Sequence, residues 1–96
     1  MWIEGNLYKL SNGNILRVCN MCDDKEYEYG YDYFDGKTLK LIDGGVFNIA
    51  EPTEDIKVVI KEALAWCSLD PDETKWDFMM EDIGYSELED LGYSGF

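Results

Sequence analysis

The spacing of hydrophobic positions changes period near the middle of the chain. Up to Ile49 it alternates, and beyond Pro52 it recurs every three to four residues. Residues 2–10 and 14–21 are apolar-rich runs separated by Ser11-Asn12-Gly13. Asn-Gly is a strong hairpin signal, because both residues reach positive φ at little steric cost. On the second run Ile15, Arg17, Cys19 and Met21 share one face, with Leu16 and Val18 on the other. A polar turn at Cys22-Asp23-Asp24-Lys25 leads into residues 26–33, where Tyr27, Tyr29, Tyr31 and Tyr33 fall on one side and Glu26, Glu28 and Asp32 on the other. A helix would not sort these residues so cleanly; a strand does. Asp35-Gly36 then turns the chain into residues 38–42, and Asp43-Gly44-Gly45 turns it again into 46–49. Four to five short strands joined by tight turns predict an antiparallel meander.

Past Ala50-Glu51-Pro52, the apolar residues Ile56, Val59, Ile60, Ala63 and Cys67 recur at helical spacing, with Leu64 and Trp66 widening the stripe. This predicts a helix over 53–68, with Glu54 and Asp55 in its first turn, where the macrodipole favours anions. Asp70 and Pro71 have the chemistry of an N-cap and first helical residue, so a second helix is expected with Trp76, Met79, Met80 and Ile83 on its apolar face and Gly84 as its stop. Ser86-Glu87-Leu88-Glu89 resembles a capping box opening a third, short helix that Gly92 ends. Strands followed by helices predict an α+β fold: an antiparallel meander of four to five strands, then two to three helices, one packed on the sheet. The expected organisation is a single domain over 1–96, with strands in 1–49 and helices in 53–92.

Composition narrows the function. The chain has 96 residues, 21 acidic and eight basic side chains, no histidine and a formal net charge of −13, yet it is 46% hydrophobic and 15% aromatic. That content is too apolar for a disordered acidic tail, so the chain folds despite its self-repulsion. The charge disfavours direct binding to nucleic acid or anionic lipid and favours basic protein grooves. No apolar run approaches the roughly 18–20 residues that cross a bilayer, and no basic stretch precedes an apolar one at the start, so a cytoplasmic protein without membrane contact is expected.

Candidate chemistry is sparse. Cys19 and Cys22 form a C-x-x-C, but with Cys67 the chain offers only three thiols and no imidazole, so no metal or other cofactor is expected. Asp70, Asp72 and Asp77 lack the glycine of a calcium loop, and there is no phosphate loop or catalytic constellation. The alternating tyrosines lack the interleaved lysine and arginine of a base-stacking platform; they read as a half-buried sheet face, or as a secondary partner-binding patch. Between Asp70 and Asp90 lie nine acids and the single base Lys75. Of these, Asp72, Glu73, Asp77, Glu81, Glu87, Glu89 and Asp90 are the candidate partner-binding surface: carboxylates fixed on short helices imitate the charge spacing of a nucleic-acid backbone. The alternative to that reading is a plain solvated face.

Tyr31-Asp32-Tyr33-Phe34-Asp35-Gly36 followed by Leu41-Ile42-Asp43-Gly44-Gly45-Val46-Phe47 resembles a strand–turn–strand pattern of the large polyvalent protein-associated domains carried by phages and integrative elements. The resemblance spans about residues 27–49. It implies a mobile-element origin and carries over no catalytic residue. In size and charge the chain is also similar to anti-CRISPR and other anti-defence inhibitors, in general character and without a shared motif. The expected function is a non-enzymatic inhibitor that occupies the basic groove of a nucleic-acid-binding host or defence protein. Its rivals are an accessory domain that dimerises or docks through the tyrosine face, and a small enzyme of unassigned class.

Overall fold

A computed structural model describes residues 6–22, 25–49, 55–81 and 84–95. Along the chain run strands β1 (Asn6–Leu10), β2 (Ile15–Cys22), β3 (Lys25–Phe34) and β4 (Leu41–Asn48), helix α1 (Ile56–Trp66), strand β5 (Trp76–Glu81) and helix α2 (Tyr85–Asp90). The five strands form one antiparallel sheet in the order β4-β3-β2-β1-β5. Strands β1 to β4 are the expected meander. The fifth strand lies outside it, added beside β1.

Alternation splits the sheet residues between two apolar clusters. The larger joins Tyr8, Leu10, Leu16, Val18, Tyr29, Tyr31, Tyr33, Phe47 and Ile49 to Val59, Ile60, Ala63 and Leu64 of α1. The smaller joins Leu7, Ile15 and Phe34, from the opposite parity of their strands, to Leu88 of α2 and to Tyr93. Phe34 and Tyr93 meet edge to face at 4.9 Å, a favoured aromatic geometry.

Both helices end in the same hydrogen-bond pattern, which lets each hand the chain back to its own cluster. After α1, Ser68 N–H donates to the Ala65 carbonyl and Leu69 N–H to that of Leu64; after α2, Gly92 N–H donates to Glu89 and Tyr93 N–H to Leu88. These are Schellman closures, which need a left-handed residue just past the cap. Gly92 supplies it at φ 104° and Ser68 at φ 61°. The tail then reaches β4: Leu41 N–H donates to the Ser94 carbonyl at 2.8 Å and Ser94 N–H to that of Leu39 at 3.0 Å.

The second half is not all helical. Residues 76–81 form an edge strand, and the helix expected there does not exist. Asp70 does behave as a cap, its Oδ1 accepting from the Asp72 and Glu73 amides, but the chain makes a single turn and then extends. Trp76 and Phe78, two residues apart with Asp77 between, also satisfy a period of two. A register shift opposite Leu7 and Tyr8 lets Met79 and Met80 both pack against the smaller cluster. Available backbone on β1 decides between the two periods. Ile83 lies outside the described residues.

Three boundaries move for local reasons. Asp43-Gly44-Gly45 is no turn: β4 runs straight through it. The glycines answer to close neighbours instead, since a Cβ on Gly44 would stand 3.2 Å from Asp32 Oδ1. The chain reverses earlier, at Asp35-Gly36, where Asp35 Oδ1 accepts from the Lys37 and Thr38 amides and Leu39 adopts φ 60°. Asp55 caps α1 by accepting from Lys57 N–H rather than lying in the first turn, and Glu54 is outside the described residues. Gly84 precedes α2 as its N-cap rather than ending a helix, which puts Ser86 inside α2 with no side-chain cap bond.

Trp66 is the clearest misplacement within α1. It is 54% exposed, while Ile60 is fully buried. Ile60→Ala is therefore expected to lower unfolding free energy by about 2–5 kcal/mol, and Trp66→Ala by less than about 1 kcal/mol. Urea denaturation of the two variants checks this contrast.

Candidate functional site

The acids expected to act together are all exposed, but they ride on three different supports. Asp72 and Glu73 sit on the turn after Asp70, Asp77 and Glu81 on β5, and Glu87, Glu89 and Asp90 on α2. That segment is fastened to the sheet by Ser11: its amide donates to the Lys75 carbonyl at 2.8 Å, and its hydroxyl accepts from Lys75 N–H at 2.9 Å. In an antiparallel ladder, neighbouring residues alternate between facing the partner strand and facing away. Lys75 faces β1, so the backbone groups of Trp76 and Phe78 face outward. No further strand pairs with that edge among the described residues. Phe78 is 59% exposed there, touching Tyr8 edge to face. Asp77, Glu81, Glu87, Glu89 and Asp90 join no ion pair among the described residues; Asp72 lies 3.7 Å from Lys61.

The tyrosine row is interior. Tyr29, Tyr31 and Tyr33 are buried in the larger cluster; the side chain of Tyr27 lies outside the described residues. The hydroxyls of Tyr31 and Tyr33 meet part-buried polar partners. That of Tyr33 accepts from Asn12 Nδ2 and Asn14 Nδ2, and that of Tyr31 donates to Asp43. Asp32, on the side of β3 opposite the tyrosines, is also buried. It receives a 2.9 Å bond from Arg17 Nη1, with the two side chains 8% and 12% exposed. The cross-strand register Arg17↔Asp32 imposes the pairing, and a lone arginine among apolar strand residues was its signal in the sequence. A trough of about 200 Å³ opens above the pair, lined also by Cys19, Gly30 and Val46.

Sequence reasoning missed a cleft beside α1. It measures about 400 Å³ and is lined by Lys57 and Lys61 of α1 together with Pro71, Asp72, Thr74, Lys75 and Trp76. Lysines from two distant segments meet here, a convergence invisible along the chain.

Cys67 is a free thiol, Cys19 is half-buried on β2, and the side chain of Cys22 is outside the described residues. Among the described residues no three potential ligands gather into a metal site, and no helix is long and apolar enough to cross a membrane. Burial, reinforced by the Asp43 carboxylate, pushes the Cys67 thiol up to about 12, far from the thiolate a nucleophile needs. Burial also raises Tyr31, with Asp43 and Cys67 adding to the effect, and raises Tyr93. The chain matches no model of a known protein family, no curated protein and no solved structure.

Two outcomes follow from these environments. Asp32→Ala strands the buried Arg17 charge and is expected to destabilise by about 3–5 kcal/mol, read by urea denaturation. Cys67, Tyr31 and Tyr93 keep their protons in the fold to higher pH than in the unfolded chain, so their contribution is complete below about pH 9 and is lost as pH rises toward the folded values. The urea midpoint should fall above about pH 9, and Cys67→Ala should make that fall shallower. A midpoint that is flat to about pH 11 would contradict the assignment.

Proposed function

We propose that the protein is a non-enzymatic inhibitor of mobile-element origin, of the anti-CRISPR or anti-defence kind. It places its carboxylates in the basic groove of a nucleic-acid-binding protein in the cytoplasm. The observation that carries this reading is a set of exposed acids that join no ion pair among the described residues: Asp77 and Glu81 on the outer strand, and Glu87, Glu89 and Asp90 on α2. Fixed carboxylates on a folded support lose little conformational freedom on binding, and a basic groove already shaped for phosphates supplies the complementary field.

The resemblance of residues 27–49 to the large polyvalent protein-associated domains supports the origin, and the net charge of −13 supports the choice of partner. The interior position of Tyr29, Tyr31 and Tyr33 weighs against docking through a tyrosine face.

The test is capture from a bacterial lysate at low salt, followed by competition with DNA. A nucleic-acid-binding protein should be retained, DNA should displace it, and retention should fall steeply as salt rises. Asp77→Lys with Glu81→Lys, or Glu87→Lys with Glu89→Lys, should reduce retention at least about tenfold without lowering the melting temperature, because exposed acids contribute little to stability. Glu62→Lys on α1, equally exposed, should leave retention unchanged. Retention indifferent to salt, or a tight dimer that persists at high salt and retains no such protein, would overturn the reading.

A further inference from the structure

The lysine-lined cleft runs against the character of the chain. Acids outnumber bases 21 to eight overall, yet the described lining of this cavity holds three lysines and one carboxylate. Lys57 and Lys61 lie one helical turn apart on α1, a spacing at which like charges repel. The third lysine extends from a backbone held at both its N–H and its carbonyl by Ser11. Among the described residues the only acid in the lining is Asp72, which lies 3.7 Å from Lys61 with its side chain 87% exposed, so water screens most of that attraction. Lys57 and Lys75 make no ion pair among the described residues.

Three lysines on α1 and just before β5 thus line one cavity, opposed among its described lining residues by Asp72 alone. The remaining wall is suited to an organic molecule: Pro71 is rigid, Trp76 is a half-buried ring, and Thr74 is a buried hydroxyl residue. At about 400 Å³ the cavity falls in the range of small-molecule sites.

We propose that this cleft binds a small organic polyanion, a molecule carrying two or more phosphate or carboxylate charges. Lys57, Lys61 and Lys75 meet the anionic groups, and Trp76 and Pro71 accept the less polar part. The net charge of the protein does not forbid this. At physiological salt, fields fade over about 8 Å, so the three local lysines outweigh remote acids, whose main effect is to slow encounter. The same acids set an upper size limit. A nucleic-acid strand leaving the cleft would run onto Asp72, Glu73 or Asp77 and be repelled.

Calorimetric titration with pyrophosphate, ADP and citrate at low salt tests the site and separates phosphate from carboxylate. At least one should bind saturably with a dissociation constant below about 1 mM. Lys57→Ala with Lys61→Ala, and separately Lys75→Ala, should weaken it at least about tenfold. Asp72→Asn should tighten binding about two- to fivefold by removing the competing carboxylate. Lys37→Ala with Lys40→Ala removes the same charge as the α1 pair from exposed positions elsewhere, and should leave binding within about twofold. Melting curves verify that each variant is folded. If none of the three probes saturates by about 10 mM, or if the Lys37 and Lys40 variant loses as much affinity as the cleft variants, the site does not exist.

Discussion

The pairing of β5 with β1 is the constraint on which the rest of this structure depends. Without it β1 would be the edge of a four-strand meander, with a row of backbone groups open to water. With it, the acidic segment becomes part of the sheet. The turn after Asp70 is held beside α1, which creates the lysine cleft, and the chain leaving Glu81 is returned to place Leu88 and Tyr93 against Leu7, Ile15 and Phe34. The two charged features of opposite sign, cleft and acidic edge, are both products of this one ladder.

Charge is distributed by the fold rather than spread evenly over it. Arg17, the chain's single arginine, is spent inside the molecule neutralising Asp32, where removal of either partner would leave a buried ion. Three of the seven lysines are gathered at the cleft. The strand β5 and helix α2 are left with carboxylates and almost no local compensation. Self-repulsion among these acids opposes compaction, and the buried aromatic row of β3 with the apolar stripe of α1 offsets it.

Much of the sheet was legible in the sequence because alternation is a local signal. The sides of β3 are set by Tyr29, Tyr31 and Tyr33 against Asp32, and the stripe of α1 by Ile56, Val59, Ile60 and Ala63. The failures share a physical cause, which is that partners distant in sequence decide between two local readings. Residues 76–81 fit a helix by the spacing of Trp76, Met79 and Met80 and fit a strand by Trp76 and Phe78, and only β1 chooses. Gly44 and Gly45 are turn chemistry in isolation, but beside Tyr31 and Asp32 they are a thin strand that admits close neighbours. The exposed acids of the candidate surface could be named from the sequence; their division among a turn, the edge strand β5 and α2 could not. The cleft was illegible altogether, because Lys57 and Lys61 meet Lys75 only once β5 is in place.

The bridge between Ser94 and the start of β4 carries a consequence for how the molecule comes together. Hairpins β1–β2, β2–β3 and β3–β4 close short loops, whereas the β1–β5 ladder and the Lys40↔Ser94 bridge join positions far apart in the chain. Closing a longer loop sacrifices more chain entropy before any contact repays it. A chain that has completed only its neighbouring hairpins has the tyrosine row and the Arg17–Asp32 register, but neither an ordered acidic edge nor an assembled lysine cleft. Anything that recognises either feature therefore discriminates finished molecules from nascent ones.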